Sequence, residues 1–438
     1  MAKTFISFLG AIEYFETRYY TAPDKSDLSP PMFYVQEAIL RQQSSWGAED
    51  QVLIFTTAEA LERNYFNRYS RKGIIANDGL KSRLEALEKE GYFKNFDSVN
   101  IPNGYTEDEI WTVFKRIIDR IRPGDDVYMD ITFGFRSLPM LALVLSNYAK
   151  AVKDVKVKAI YYGNYEAGRA EQEQRVKTEA QGAEKRVIEA PILDLRPFLE
   201  LQEWTSAAEA FLDLGQSKPL SNLIRIENKD LADQLEQFAQ SIVTNRGLAL
   251  VRDIDIDSLK QQIALLQTEQ VTPQLEPLLA RIGAKLDTFK TGDIRNGLMA
   301  VAWCIEHQLV QQGYTLLQET LVSFVLECVF GRYDTFDHNW RTWAGAILSG
   351  IKVKNLRNKP ESAADIEDLK EIENWLKDKP NLIKPYKELT GTRGKRNDIN
   401  HAGFREGYAT PKSLTDELSR IYNDVVLVLK RYNLDDFQ

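Results

Sequence analysis

A chain of 438 residues, 43% hydrophobic and 27% charged with net charge −8, is long enough for two to four domains and too apolar for bulk disorder. Two cysteines, Cys304 and Cys328, exclude a disulfide framework and a cysteine-rich zinc site. No run nears the ~20 apolar residues of a membrane span, the start MAKTFISFLG lacks a cleavable signal pattern, and neither half is a basic arm. A cytoplasmic location is expected, and any nucleic acid would be met by a local patch.

In chain order, strands are predicted at Thr4–Leu9, Val52–Thr56, Ser98–Ile101, Asp126–Thr132 and Val155–Tyr162, each short and rich in β-branched and aromatic residues. Between them, Glu107–Ile121 has helical period, with Ile110, Phe114, Ile117, Ile118 and Ile121 on one face and a capping-box pair at Thr106 and Glu109. This order predicts a doubly wound α/β fold with a parallel sheet. Gly168–Arg186 is charged and poor in apolar residues, which predicts a solvated excursion or charged hairpin. After Pro191 the helical period takes over. Helices are predicted at Pro197–Leu214, Lys229–Asn245, Pro273–Lys290, Gly297–Gln311, Thr315–Val329, Ile366–Lys377 and Leu414–Tyr432, making the second half all-α. The expected division is an α/β domain over 1–195, a connecting helical region over 196–290 and a helical domain over 291–438.

The segment from Asp130 to Pro139 (DITFGFRSLP) runs from the carboxyl end of a predicted strand into an apolar helix. Ligands of open α/β sheets sit beyond such strand ends, and a helix N-terminus there attracts anions. Gly134 would allow close approach, Thr132 and Ser137 would supply hydroxyls, and Arg136 could fork onto a phosphate. Gly10–Tyr14 and Gly163–Tyr165 are further turns expected on the same rim. The alternative is that Ser137 caps the helix and Arg136 pairs with a surface carboxylate. No GxGxxG or Walker A pattern is present, which disfavours a dinucleotide or a nucleoside triphosphate with magnesium.

Of the three histidines, His307 reads as packing or an exposed position, and His338 as a structural hydrogen bonder. His401 closes Arg396-Asn397-Asp398-Ile399-Asn400-His401, an R-x-x-x-x-H spacing. It lies in a locally basic run, Lys384 to Arg405, where six Lys/Arg face two Asp/Glu. Cleavage of RNA by its own 2′-hydroxyl needs proton transfer at two oxygens and positive charge at the phosphate, which histidine and arginine supply. Five residues turn about 140° on a straight helix, so Arg396 and His401 do not share a face. Two subunits around a two-fold axis would bring two such pairs together. The alternative is a pair that decorates a helix terminus.

The start KTFISFLG, the turn DITFGFRSLPM, the YYGNYEA segment and PILDLRPFLELQEW resemble the CRISPR-associated accessory ribonucleases of type III systems. These join an N-terminal CARF sensor domain, Rossmann-like in fold, to a C-terminal HEPN nuclease domain. The resemblance covers nearly the whole chain. It implies a sensor over 1–195 that binds a cyclic oligoadenylate, with cyclic tetra-adenylate the expected ring, across a homodimer interface; a higher oligomer is compatible with it. It implies a metal-independent endoribonuclease acting on single-stranded RNA over 291–438, with no cofactor and no membrane partner. Carried over, the catalytic candidates are Arg396, Asn397 and His401, and the RNA-binding candidates are Arg393 and Lys395. Ligand-binding candidates are Gly10, Thr132, Gly134, Phe135, Arg136, Ser137 and Asn164. Phe133 departs from the polar or small residue expected there. Two rival readings stay open: a sensor without nuclease activity, and a ring nuclease that degrades the cyclic oligoadenylate.

Overall fold

The structure, a computed structural model, describes residues 2–42, 46–69, 75–134, 138–178, 187–268, 275–331, 337–357, 359–390, 395–404, 406–432 and 434. The candidates Phe135, Arg136, Ser137 and Arg393 lie outside the described residues. The chain divides into two units, Met1–Glu200 and Leu201–Gln438.

The first unit is built on strands β1 (Lys3–Leu9), β2 (Thr17–Tyr20), β3 (Gln51–Thr56), β4 (Arg68–Tyr69), β5 (Ile75–Asn77), β6 (Phe96–Asn100), β7 (Asp126–Asp130), β8 (Lys156–Gly163) and β9 (Ile188–Asp194). Seven of them form one sheet in the order β2-β9-β8-β7-β1-β3-β6, while β4 and β5 make a small antiparallel pair. Its helices are α1 (Val35–Gln42), α2 (Ala58–Ala60), α3 (Leu80–Glu90), α4 (Glu107–Arg120), α5 (Leu138–Lys153) and α6 (Tyr165–Thr178). Alternation along the strands fills two cores. Phe5, Leu9, Val52 and Ile54 pack on one face with Ile39, Leu84 and Leu87; Ile6, Phe8, Leu53 and Phe55 pack on the other with Ile117, Ala142 and Leu145. Helices therefore cover both faces, as a doubly wound fold requires. β1 is flanked by β3 and β7, both parallel to it. Strand order reverses there, and this is the switch point beside which such sheets bind ligands.

The expected parallel sheet needs one correction: β9 runs antiparallel to β8, so the sheet is mixed. Antiparallel neighbours need no crossover connection. The first part of β9 pairs instead with β2, Thr17 opposite Ile188. The stretch predicted as a solvated excursion begins as helix α6, whose sequence has no apolar face to announce it. Gly168 lets this helix lie against β9, because a Cβ there would stand 2.3 Å from the Glu189 carbonyl oxygen. Backbone cannot yield as a side chain can. Gly168→Ala is therefore expected to lower stability by about 2 kcal/mol, in the range of overpacking costs. Thermal unfolding beside the exposed-site control Ala170→Ser would show it as an earlier transition.

The helical period of the second half gives α7 (Arg196–Leu214), α8 (Lys218–Glu227), α9 (Lys229–Val243), α10 (Ile256–Thr268), α11 (Glu276–Leu286), α12 (Asn296–Glu306), α13 (Val310–Phe330), α14 (His338–Leu348), α15 (Ala363–Lys377), α16 (Ile383–Thr390), α17 (Lys395–Asn400) and α18 (Pro411–Arg431). Division between the units falls within α7. One core runs through the second unit from Phe211 and Phe238 to Leu418 and Leu429, with α13 at its centre through Tyr314, Leu317, Leu321 and Val325. The single helix predicted over Gly297–Gln311 is broken. Gln308 takes a φ of 57°, and His307 is fixed by ring contacts to the carbonyls of Trp303 at 2.8 Å and Leu212 at 3.0 Å. The ring also stacks on Trp303, which accounts for His307 as packing. Among the described residues no helix is long and apolar enough to cross a membrane.

Candidate functional sites

On the rim of the first unit, a fully buried carboxylate organises the switch point. Asp130, the last residue of β7, accepts from Ser7 Oγ of β1 at 2.6 Å and from Thr132 N and Oγ1 at 3.0 and 2.6 Å. Burial pushes its pKa up, against the pull of these bonds. Thr132 Oγ1 in turn accepts from Gly163 N of β8 at 2.8 Å. One carboxylate and one hydroxyl thus tie β1, β7 and β8 together. The Thr132 hydroxyl was expected to face a ligand; it is engaged inside this tie and shapes the turn.

Gly10 ends the first strand beside a cleft of about 250 Å³, which it lines together with Ile12, Asn103, Tyr105, Phe133 and Gly134. A Cβ at Gly10 would stand 3.3 Å from Phe133 Cβ, and one at Gly134 would overlap the Leu138 side chain. A side chain at Gly10 would crowd Phe133, and one at Gly134 would force Leu138 to move. Phe133 leans on Tyr14, ring centroids 4.4 Å apart, and the Tyr14 hydroxyl accepts from Gly10 N at 2.9 Å. Burial raises the Tyr14 pKa well above that of an ordinary phenol. Asn164 is a cap: its Oδ1 accepts from Ala167 N at 3.1 Å in the first turn of α6.

Asn64, which the sequence reading passed over, holds the Gly10–Ile12 loop. Its Nδ2 donates to the carbonyls of Gly10 and Ile12, both at 2.8 Å, and Arg63 reaches the Ala11 carbonyl at 3.1 Å. Asn64 sits in a π-helical turn, Leu61–Tyr65, a form frequent at functional sites. No sequence period marks it, because its partners lie more than fifty residues away.

In the second unit, α13, α14, α16 and α17 enclose an open, polar cleft of about 630 Å³. Arg396, Asn397 and Asn400 reach it from α17, Tyr386 from α16, His338 and Arg341 from α14, and Glu319 from α13. Arg341 is committed to Glu319, with Nη2 2.9 Å from its carboxylate and 3.0 Å from its carbonyl. Arg396 differs: its Nε is buried and has no hydrogen-bond partner among the described residues. Burial raises the pKa of the Tyr386 phenol, and a Cβ on Gly345 would stand 2.6 Å from that hydroxyl.

His401 follows the end of α17, exposed, with its backbone N donating to the Asn397 carbonyl at 3.2 Å. Ala402 and Gly403, at φ 52° and 71°, then turn the chain. Asp398 is buried and accepts from Ala409 N at 2.7 Å, clasping the return. Arg396 therefore faces the cleft while His401 stands beyond the helix end and is not among the described residues lining it. That agrees with the expectation that the two do not share a face. Lys395 lies 3.7 Å from Glu417, so part of the local positive charge is neutralised within the unit. His338, read as structural from the sequence, lies on the cleft wall.

Residues 4–166 match the family model of the CARF domain of the CRISPR system endoribonuclease Csx1. Residues 200–291 match that of the second domain of the CRISPR-associated protein MJ1674, close to the stretch expected as connecting helices. The CRISPR-associated protein MJ1674 of Methanocaldococcus jannaschii is 26% identical over 343 residues, 77% of this chain and 46% of the relative. The chain thus spans about half the length of that relative. Among solved structures, Enterococcus italicus Csm6 bound to cyclic hexa-2'-fluoro-hexa-dAMP aligns at 11% identity and TM-score 0.42, over 98% of this chain and 94% of that one. The first unit is a CARF domain, and the chain is a homologue of a CRISPR-associated protein.

Proposed function

We propose that this CARF-bearing chain is an endoribonuclease of single-stranded RNA, activated by a cyclic oligoadenylate and serving type III CRISPR defence. The observation that carries the reading is Arg396, which lines a polar cleft with Asn397 and Asn400 alongside. A phosphate bound in that cleft would meet a guanidinium, a group suited to charge-assisted bonds with phosphate oxygens. His401, one residue past the same helix, supplies an imidazole able to act as general acid or base. In the reaction, the RNA 2′-oxygen bonds to phosphorus as its proton passes to an imidazole. The bond from phosphorus to the 5′-oxygen then breaks, and that oxygen takes a proton. The products are a 2′,3′-cyclic phosphate and a 5′-hydroxyl. Arg396 stabilises the charge that builds on the phosphate, and the residues named need no metal for these steps.

The activator would lie at the rim of the first unit, over Gly10, Phe133 and Gly134. There the faces of Tyr105 and Phe133 suit adenine stacking. Cyclic tetra-adenylate remains the expected ring. Activation requires that the ring bind one arrangement of the protein better than another. Homodimer formation is supported by an apolar stripe on α5: Met140, Val144, Tyr148 and Val152, four residues apart, are 77%, 56%, 45% and 57% exposed. A two-fold interface presents the same patch from both subunits, and a stripe along one helix offers such a patch.

The test is incubation with labelled RNA in EDTA, with and without cyclic tetra-adenylate. Ring-dependent cutting that tolerates EDTA is expected. Loss of the ring with intact RNA would instead select a ring nuclease, and ring binding with neither reaction a sensor without nuclease activity.

A further inference from the structure

Transfer of an RNA phosphate to its own 2′-oxygen needs two proton transfers, one at the attacking oxygen and one at the leaving oxygen. The cleft that Arg396 faces contains few groups able to make them. The charged and titratable side chains lining it, among the described residues, are Glu319 from α13, His338 and Arg341 from α14, Tyr386 from α16 and Arg396 from α17. Glu319 and Arg341 hold each other in an ion pair. Burial raises the Tyr386 pKa, which keeps that phenol protonated. Arg396 carries a permanent charge. Histidine is the side-chain type suited to accept and return a proton near neutrality, and here that is His338.

Its backbone is well fixed. Asp337 caps α14, its carboxylate accepting from Trp340 N at 3.0 Å, and the His338 carbonyl accepts from Thr342 Oγ1 at 2.8 Å. Among the described residues no side chain bonds the exposed His338 ring. The contrast with His307 is direct, since both nitrogens of that ring are held by backbone carbonyls. His401, meanwhile, stands past the end of α17 and outside the lining of the cleft.

We propose that His338 is a second proton-transfer residue of the Arg396 cleft. One imidazole, of His338 or His401, takes the 2′ proton, and the other delivers a proton to the departing 5′-oxygen. This rests on the ribonuclease reading above.

The experiment compares full-length wild type, His338→Ala and His338→Gln in ring-activated cleavage of labelled RNA from pH 5 to 9. The variants are expected to lose about 100-fold or more in kcat, with KM for RNA within about threefold. One limb of the bell-shaped pH profile should vanish, and added imidazole should restore part of the rate of His338→Ala. A variant that keeps both limbs and a rate within threefold of wild type overturns the proposal, as does a loss confined to KM. If wild type itself cuts no RNA, the ribonuclease reading fails and takes this proposal with it, an outcome distinct from failure of the variants alone. Thermal unfolding of the variants should match wild type because the side chain is exposed.

Discussion

Replacing His401 by alanine is expected to lower ring-activated RNA cleavage by about 1,000-fold, within the range for loss of a general acid or base, while leaving ring affinity unchanged. His401 is held by backbone bonds: its N donates to the Asn397 carbonyl, and its carbonyl accepts from Phe404 N at 3.0 Å. Its side chain is exposed. Truncation therefore removes chemistry without opening a cavity, and the loss can be read as kinetic. Arg396→Lys should fall in the same assay, since a lysine keeps the charge but not the planar fork that matches a phosphate. The measurement is single-turnover cleavage of labelled RNA beside equilibrium binding of cyclic tetra-adenylate. Cleavage by His401→Ala at the wild-type rate would remove this residue from the mechanism.

Asn64→Ala is expected to weaken ring binding by about tenfold or more and to destabilise the first unit by about 2 kcal/mol, since one amide serves two loop carbonyls. Both carbonyls belong to the loop that borders the rim cleft, Gly10 and Ile12. Without the amide, the loop must be ordered by the ring itself, and that ordering is drawn from binding energy. Asn64→Asp should be worse, because a carboxylate would then oppose two carbonyl oxygens. At saturating ring, RNA cleavage by Asn64→Ala should recover, since the Arg396 cleft is built from other helices. Titration calorimetry with cyclic tetra-adenylate measures the first effect and thermal unfolding the second. Wild-type affinity in Asn64→Ala would exclude the Gly10 loop from the ligand site.

The parts of this molecule legible from sequence are those whose side chains repeat. β1 and β3 are short runs rich in β-branched and aromatic residues and buried almost throughout, and α4 carries an apolar stripe behind its Thr106 cap, whose Oγ1 accepts from Glu109 N at 3.2 Å. The missed elements lack such a signal. β2 is four residues with Arg18 inside it, β9 contains Pro191, and α6 has no apolar face at all. The antiparallel turn of β9 follows from where its chain re-enters the sheet, which composition does not encode. At the candidate sites, Gly10, Gly134 and Arg396 stand out in the sequence because turn chemistry and motif spacing are local, and each lines a cleft. Asn64 and His338 do not stand out, since their neighbours at the clefts are distant in sequence. For Thr132 the residue was identified but its direction was not: a hydroxyl beside a strand end can turn outward or inward, and the buried Asp130 draws it inward.

The exposed stripe on α5 has a consequence for how the response scales. If two chains must meet along Met140, Val144, Tyr148 and Val152 before either cleft is complete, the active species rises with the square of protein concentration while most chains are single. Scarce protein would then stay silent even with its signal present, and a modest rise in copy number would sharpen the onset of cutting. The same four residues would set a second threshold, independent of the ring, on when a cell begins to degrade RNA.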